Sequence, residues 1–180
     1  MTTEFLKYTL DIIRQNGTSM SWLEEKRLEF APLLSSRLKL LIQDSRPFIF
    51  ICDDERAWYE EYFLSNINSR SHRPFVPFFS LKSLCKNTIS TSNDIALLND
   101  LLELSFPNGY VFFYVGLSTN KMAQVAKSKD DSLLVVFDDK NIHNSLYIPL
   151  KESNLDSKLI SLYKFFDSSL EAILLSKVNI

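Results

Sequence analysis

Three short segments carry residue types that could do chemistry: Asp53-Asp54-Glu55, Asp138-Asp139 and Ser118-Thr119-Asn120. Paired carboxylates can hold magnesium or work as an acid–base couple. They serve equally well at strand ends and helix N-caps, where negative charge meets the positive end of the helix dipole. That structural role is the preferred reading of both acidic groups. Ser118 and Thr119 follow Gly116 and precede a helix, so their hydroxyls and amides could cradle a phosphate. A loop of N-cap residues has the same composition.

Other chemistry finds little support. His72 and His143 lie far apart, and neither has His, Cys or carboxylate neighbours at metal-ligand spacing, so both read as surface histidines and no metal site is expected. Cys52 falls inside an apolar run and reads as a small buried hydrophobe; Cys85 is flanked by lysines. The three glycines, Gly17, Gly109 and Gly116, are never closely paired, which excludes the glycine-rich dinucleotide and P-loop motifs. No serine sits in a glycine-flanked elbow. No cofactor and no catalytic residue are expected.

Composition narrows the class of partner. The chain has 180 residues, 46% of them hydrophobic, so it can bury a substantial core. The formal net charge is −2 and the basic residues are scattered, which disfavours direct nucleic-acid binding through phosphate neutralisation. The first residues lack a basic stretch followed by an apolar one, and no run approaches the ~20 apolar residues of a membrane span. Two lone thiols suit a reducing compartment. A cytoplasmic protein without membrane contact is expected.

The elements that position these groups follow from periodicity. Phe48-Ile49-Phe50-Ile51-Cys52 has no alternation and reads as a strand buried on both faces. A helix follows over 55–66. Further strands are expected at 73–80, 110–115, 133–137 and 145–149. Pro74 and Pro77 place the second at an edge or confine its ladder to its second half, and Pro149 makes the last an edge strand. Helices are expected at 3–15, from Ser21 to about 43, from an Asp94 cap to about Leu104 with Ile95, Leu98, Leu101, Leu102 and Leu104 facing inward, and over 155–177. Ser21 and Glu24 fit a capping box, and Pro32 should kink or split the helix it sits in. Leu155, Leu159, Leu162, Tyr163, Phe166, Leu170, Ile173 and Leu174 hold the helical period, with Ile160, Phe165 and Leu175 as a second apolar line. That surplus suggests packing against another subunit as well as the sheet.

The order predicts a three-layer α/β/α sandwich with a five-stranded, mostly parallel sheet. It would form one domain over 1–180. Residues 1–44 would be an N-terminal helical extension used in packing and oligomerisation, and 45–180 the α/β core ending in a long helix. In open sheets of this kind ligands sit beyond the carboxyl ends of the strands. The corner at 53–56 is acidic and glycine-free, which is unfit for a phosphate.

Trp22-Leu23-Glu24, Arg56, Trp58, Leu64-Ser65-Asn66-Ile67-Asn68 and Lys177-Val178, taken in this order, resemble the HobA family of bacterial regulators of the replication initiator DnaA. The resemblance spans nearly the whole chain. It implies a sugar isomerase (SIS) fold without isomerase activity, and a homotetramer that holds several DnaA molecules by their N-terminal domains. HobA proteins are counterparts of the DiaA regulators, in which the extreme C-terminus matters for contact; the matching positions are Lys177, Val178 and Ile180. Trp22 belongs to the same resemblance. Arg56 and Trp58 are also of the residue types enriched at interface hot spots, although Trp58 suits a core equally. The segment 82–92 has no counterpart. The resulting expectation is a non-catalytic adaptor that promotes DnaA assembly at the chromosomal origin. The alternative is a sugar-phosphate isomerase or sugar-phosphate sensor using Ser118 and Thr119.

Overall fold

Phe48–Cys52 is buried at every position, and its side chains divide cleanly between two cores. Phe48, Phe50 and Cys52 enter one; Ile49 and Ile51 enter the other. A strand covered by helices on both sides requires this division. In the computed structural model, residues 3–85, 89, 91–152 and 154–180 are described. They form helices α1 (Thr3–Gln15) and α2 (Leu23–Gln43), strand β1 (Phe48–Cys52), helix α3 (Ala57–Ile67), strand β2 (Phe78–Ser80), helices α4 (Leu81–Leu84) and α5 (Ser92–Ser105), strand β3 (Val111–Gly116), helix α6 (Lys121–Lys127), strands β4 (Leu133–Val136) and β5 (Ser145–Tyr147), and helix α7 (Leu155–Leu174).

The sheet order is β2-β1-β3-β4-β5 and all four pairings are parallel. The chain reverses its direction of growth between β1 and β3, so that is the switch point where ligands bind in open α/β sheets. β2 occupies an edge and pairs only through Phe78–Ser80, because Pro74 and Pro77 deny the preceding residues a ladder.

One core lies between the sheet and α1, α2, α3 and α7. It is aromatic: Phe50 lies 4.6 Å from both Phe63 and Phe113, and Phe48 stacks on Phe78 at 4.8 Å. Each such ring contributes roughly 1.5–3 kcal/mol by leaving water. The other core is smaller and is roofed by α4, α5 and α6.

Several expectations change. The N-terminal helices are part of the main core, since Phe5, Ile12, Phe30 and Leu34 share it with Phe48 and Phe113. They also take up part of the apolar surplus of α7, while Leu175 stays 38% exposed. Phe165 is fully buried within the chain and meets Phe30 of α2 at 6.2 Å, so the second apolar line of α7 does not by itself call for another subunit. Of the two outcomes expected at Pro32, a split does not occur: α2 runs through it. The carbonyl that loses its donor belongs to Leu28, which is 63% exposed and open to water. Ser21 does not cap α2: its hydroxyl donates to Thr18 O at 3.1 Å, and Glu24 pairs with Arg14.

α5 is capped by Thr91, whose own amide donates to the Asp94 carboxylate at 2.7 Å; Asp94 is the N3 residue of the capping box rather than the cap. Its inner face is Leu98 and Leu102. Leu101 and Leu104, expected to point inward, are 49% and 80% exposed and share an outer stripe with Leu97. The segment 82–92 begins inside the short α4; residues 86–88 and 90 lie outside the described residues.

Candidate functional site

The carboxyl end of the sheet brings the three chemistry-bearing segments together. Asp53 follows β1, Leu117-Ser118-Thr119 follows β3, and Asp138 follows β4. β1, β3 and β4 are neighbours, so the middle segment has one carboxylate on each side.

Both carboxylates bond to it. Asp138 Oδ1 accepts from the Ser118 amide at 2.7 Å, and Oδ2 accepts from the Ser118 hydroxyl at 3.0 Å and the Thr119 amide at 3.3 Å. Asp53 Oδ2 accepts from the Leu117 amide at 2.9 Å. The three amides and the Ser118 hydroxyl that would face a phosphate are therefore used inside the chain, by groups carrying the charge a phosphate would bring. Burial alone would raise the Asp138 carboxyl, but the bonds from Ser118 and Thr119 outweigh it and hold the group below its ordinary value.

Asp53 is buried and fully used. Its carboxylate accepts from the Arg56 amide at 3.1 Å, as the cap of the 3₁₀ turn Asp54–Arg56, and from Arg56 Nη1 at 3.0 Å. Arg56 Nη1 also reaches Glu55 at 2.6 Å, and the guanidinium lies 5.0 Å from the centre of the Phe137 ring. Gly116 makes this arrangement possible. A Cβ there would stand 2.5 Å from the Tyr114 hydroxyl and 2.6 Å from Asp53 Oδ2. Asn120 caps α6 by accepting from Met122 at 2.8 Å. The acidic segments are thus caps and strand-end acceptors, the structural reading preferred for them.

Among the described residues no group of three His, Cys, Asp or Glu is placed to hold a metal ion. Burial pushes the Cys52 thiol well above its usual value, which removes the thiolate a nucleophile needs. His72 faces Glu171 at 3.1 Å, and His143 is exposed in the loop before β5.

The six candidate partner contacts are dispersed. Trp22 is half-buried; its indole N–H donates to Ser161 Oγ at 3.0 Å, and Lys158 lies 5.2 Å from its ring centre. Arg56 is buried in the corner just described. Trp58 is 36% exposed and leans on Tyr59. Lys177 is exposed and reaches Glu171 at 3.4 Å, whereas Val178 is buried and Ile180 packs half-buried on the main core. Ser161, under Trp22, is thirteen residues from the end of α7 at Leu174, about 20 Å of helix axis. The structure therefore does not bring Trp22 and the C-terminal residues into one patch.

Sequence reasoning missed the partnership of Asp138 with Ser118. Its signal was present in pieces: an acid directly after one strand and two hydroxyls directly after another. Only the adjacency of β3 and β4 joins them. The buried Glu60 on α3 was also missed, because a carboxylate next to Glu61 reads as a solvated face.

No helix among the described residues is long and apolar enough to cross a membrane. The model of the HobA family, a DNA replication regulator, matches residues 1–180. The DNA replication regulator protein HobA of Helicobacter pylori (strain ATCC 700392 / 26695) is 25% identical over 181 residues, covering 98% of each chain. A crystal structure of a HobA–DnaA (domain I–II) complex from Helicobacter pylori superposes with a TM-score of 0.77 at 25% identity, over 99% of this chain and 100% of that one. A crystal structure of Helicobacter pylori HobA alone gives a TM-score of 0.78 at 24% identity over both chains in full. A family match from the first residue to the last, on a parallel sheet whose ligand corner is closed from within, leads to one conclusion: the chain belongs to the HobA family of DNA replication regulators.

Proposed function

We propose that this chain is a non-catalytic, cytoplasmic adaptor that binds the N-terminal domain of DnaA and, as a homotetramer, promotes DnaA assembly at the chromosomal origin. The observation that carries the reading is its full-length likeness to a HobA crystallised with DnaA domains I–II. The closed corner supports it: the Leu117, Ser118 and Thr119 amides and the Ser118 hydroxyl are engaged by Asp53 and Asp138, which takes from the sugar-phosphate alternative its backbone donors. Adaptor action needs no chemistry. A tetramer that gathers several DnaA chains raises their effective local concentration, and avidity follows from geometry.

Light scattering of the protein alone and mixed with the DnaA N-terminal domain tests the reading. The expected result is a mass of four chains of 20.9 kDa, rising by whole DnaA domains on mixing. A monomer, or a tetramer that takes up no DnaA domain, would overturn it.

A further inference from the structure

We propose that the groove between α3 and the β2–α4 corner receives an arginine or lysine side chain of a protein partner. The groove encloses about 600 Å³ and is bordered by Ala57, Glu60, Glu61, Leu64, Ser80 and Lys82. That volume falls within the roughly 300–1,000 Å³ of ligand clefts.

The argument rests on Glu60. It is 94% buried, being 6% exposed. Its Oε1 accepts from the Ser80 hydroxyl, while its Oε2 is buried without a hydrogen-bond partner among the described residues. Buried carboxylate oxygens in folded proteins are almost always satisfied. Leaving one bare costs the desolvation of a charged group. Lys82 borders the same groove but turns its ammonium toward Asp54, at 3.8 Å, rather than to Glu60.

The missing group is therefore a donor, and a positive one. An ionised carboxylate only accepts, and charge-assisted bonds to it are the strong ones. An anionic ligand would meet Glu60 within the groove and Glu61 on its rim. A metal ion would find no set of three ligating side chains among the described residues. The rim also suits a cation on a side-chain stem. Trp58, Glu61 and Ser65 follow one another at spacings of three and four on α3, so the part-exposed indole stands beside the acidic edge. Aromatic faces attract guanidinium and ammonium groups. The terminal torsion of a glutamate is soft, so Oε2 can turn to an entering N–H without refolding. This does not depend on which protein supplies the side chain.

Amide-resonance titration of the ¹⁵N-labelled protein with three small probes tests it: Nα-acetyl-arginine amide, Nα-acetyl-lysine amide and the neutral Nα-acetyl-citrulline amide. The expected result is saturable shifts of the Glu60, Glu61 and Ser80 amides and the Trp58 indole with one or both cationic probes. Citrulline should bind at least fivefold more weakly. Glu60→Gln, which keeps shape and the Ser80 contact, should abolish the response. No saturable shift at these residues, an equal response to citrulline, or an unchanged response in Glu60→Gln would overturn the proposal. The citrulline comparison decides the matter even if the variant misfolds.

Discussion

Asp138 and Ser118 are joined twice, amide to Oδ1 at 2.7 Å and hydroxyl to Oδ2 at 3.0 Å, across the ends of two neighbouring strands. On the other side of the same loop, Asp53 takes the Leu117 amide. The corner where an open α/β sheet would hold a ligand is thus filled by two of the chain's own carboxylates. A phosphate would have to displace Asp138 and sit against the buried Asp53.

Two outcomes follow for the closed corner. Millimolar hexose phosphate should leave the melting temperature of the natural protein unchanged, because ligand-linked stabilisation needs free donors. Asp138→Ala should destabilise by about 1 kcal/mol, the net scale of lost side-chain hydrogen bonds, and lower Tm by about 2–4 °C for a chain of this size. Scanning calorimetry reads both. A clear rise in Tm with hexose phosphate, lost in Ser118→Ala, would count against the closed corner.

Gly116→Ala should be poorly tolerated for steric reasons. The new methyl would press on the Tyr114 hydroxyl, itself bonded to Leu117 O at 2.7 Å, and on the Asp53 carboxylate. Overpacking of this kind costs about 1–3 kcal/mol. Urea unfolding should show that loss; a midpoint equal to that of the natural protein would mean the corner yields easily.

Acid should weaken the fold from a definite side. Burial works to raise both the Asp138 and Glu171 carboxyls. The Ser118 and Thr119 bonds to Asp138, and His72 and Lys177 beside Glu171, more than offset it and hold both below their ordinary values. In the unfolded chain such groups titrate at about 3.9 and 4.3. A depressed folded value means the unfolded state binds protons first. The stabilisation is complete above the unfolded values and disappears as pH falls through the folded ones. Urea midpoints measured from neutrality downward should stay flat with respect to these groups until that range, then drop, and Asp138→Asn should shallow the drop. An equally steep decline in the variant would remove Asp138 from the account.

The ion pair under α7 gives a sharper stability test. Arg73 Nη2 lies 2.6 Å from Asp167 Oδ1, with both side chains 1% exposed, and Arg70 reaches Oδ2 from the surface at 2.9 Å. Arg73 also donates to the Ile67 and Asp167 carbonyls. Arg73→Ala strands a buried carboxylate and should cost about 3–5 kcal/mol, whereas the double variant Arg73→Met with Asp167→Leu should recover much of that loss. Chemical denaturation of the single and double variants separates the two effects. A loss no greater in Arg73→Ala than in the double variant would show that the carboxylate is relieved by Arg70 alone.

The fold was legible where hydrophobic pattern decides it. The unbroken run Phe48–Cys52 read as a doubly buried strand, the two prolines before Phe78 as an edge strand or a shortened ladder, and the apolar period after Leu155 as a long helix, and the fold obeys all three. What failed depended on which partner a side chain finds. Ser21 prefers the Thr18 carbonyl to the role of a cap, and Phe165 meets α2 rather than another subunit. Leu101 and Leu104 looked like core because periodicity marks an apolar face without saying what covers it. The corner was half legible: the acidic, glycine-free stretch at 53–56 signalled exclusion of a phosphate there, but the occupation of the Leu117, Ser118 and Thr119 amides by Asp53 and Asp138 depends on strand adjacency that spacing does not encode.

Of the six partner contacts suggested by sequence, Trp58 combines an aromatic ring with open surface. Arg56 and Val178 are buried, Ile180 packs on the core, Trp22 is tied to Ser161, and Lys177 is engaged with Glu171. Tryptophan is enriched among residues whose truncation costs 2 kcal/mol or more at interfaces, roughly thirtyfold in affinity. Trp58 is 36% exposed in the free chain, so Trp58→Ala should lower Tm only modestly, by about 2–4 °C per kcal/mol of lost packing, while weakening capture of the DnaA N-terminal domain by about that factor. Isothermal titration of natural and variant protein with the domain measures it. Equal affinities would move the docking surface away from α3, and a large fall in Tm would mark Trp58 as a packing residue instead.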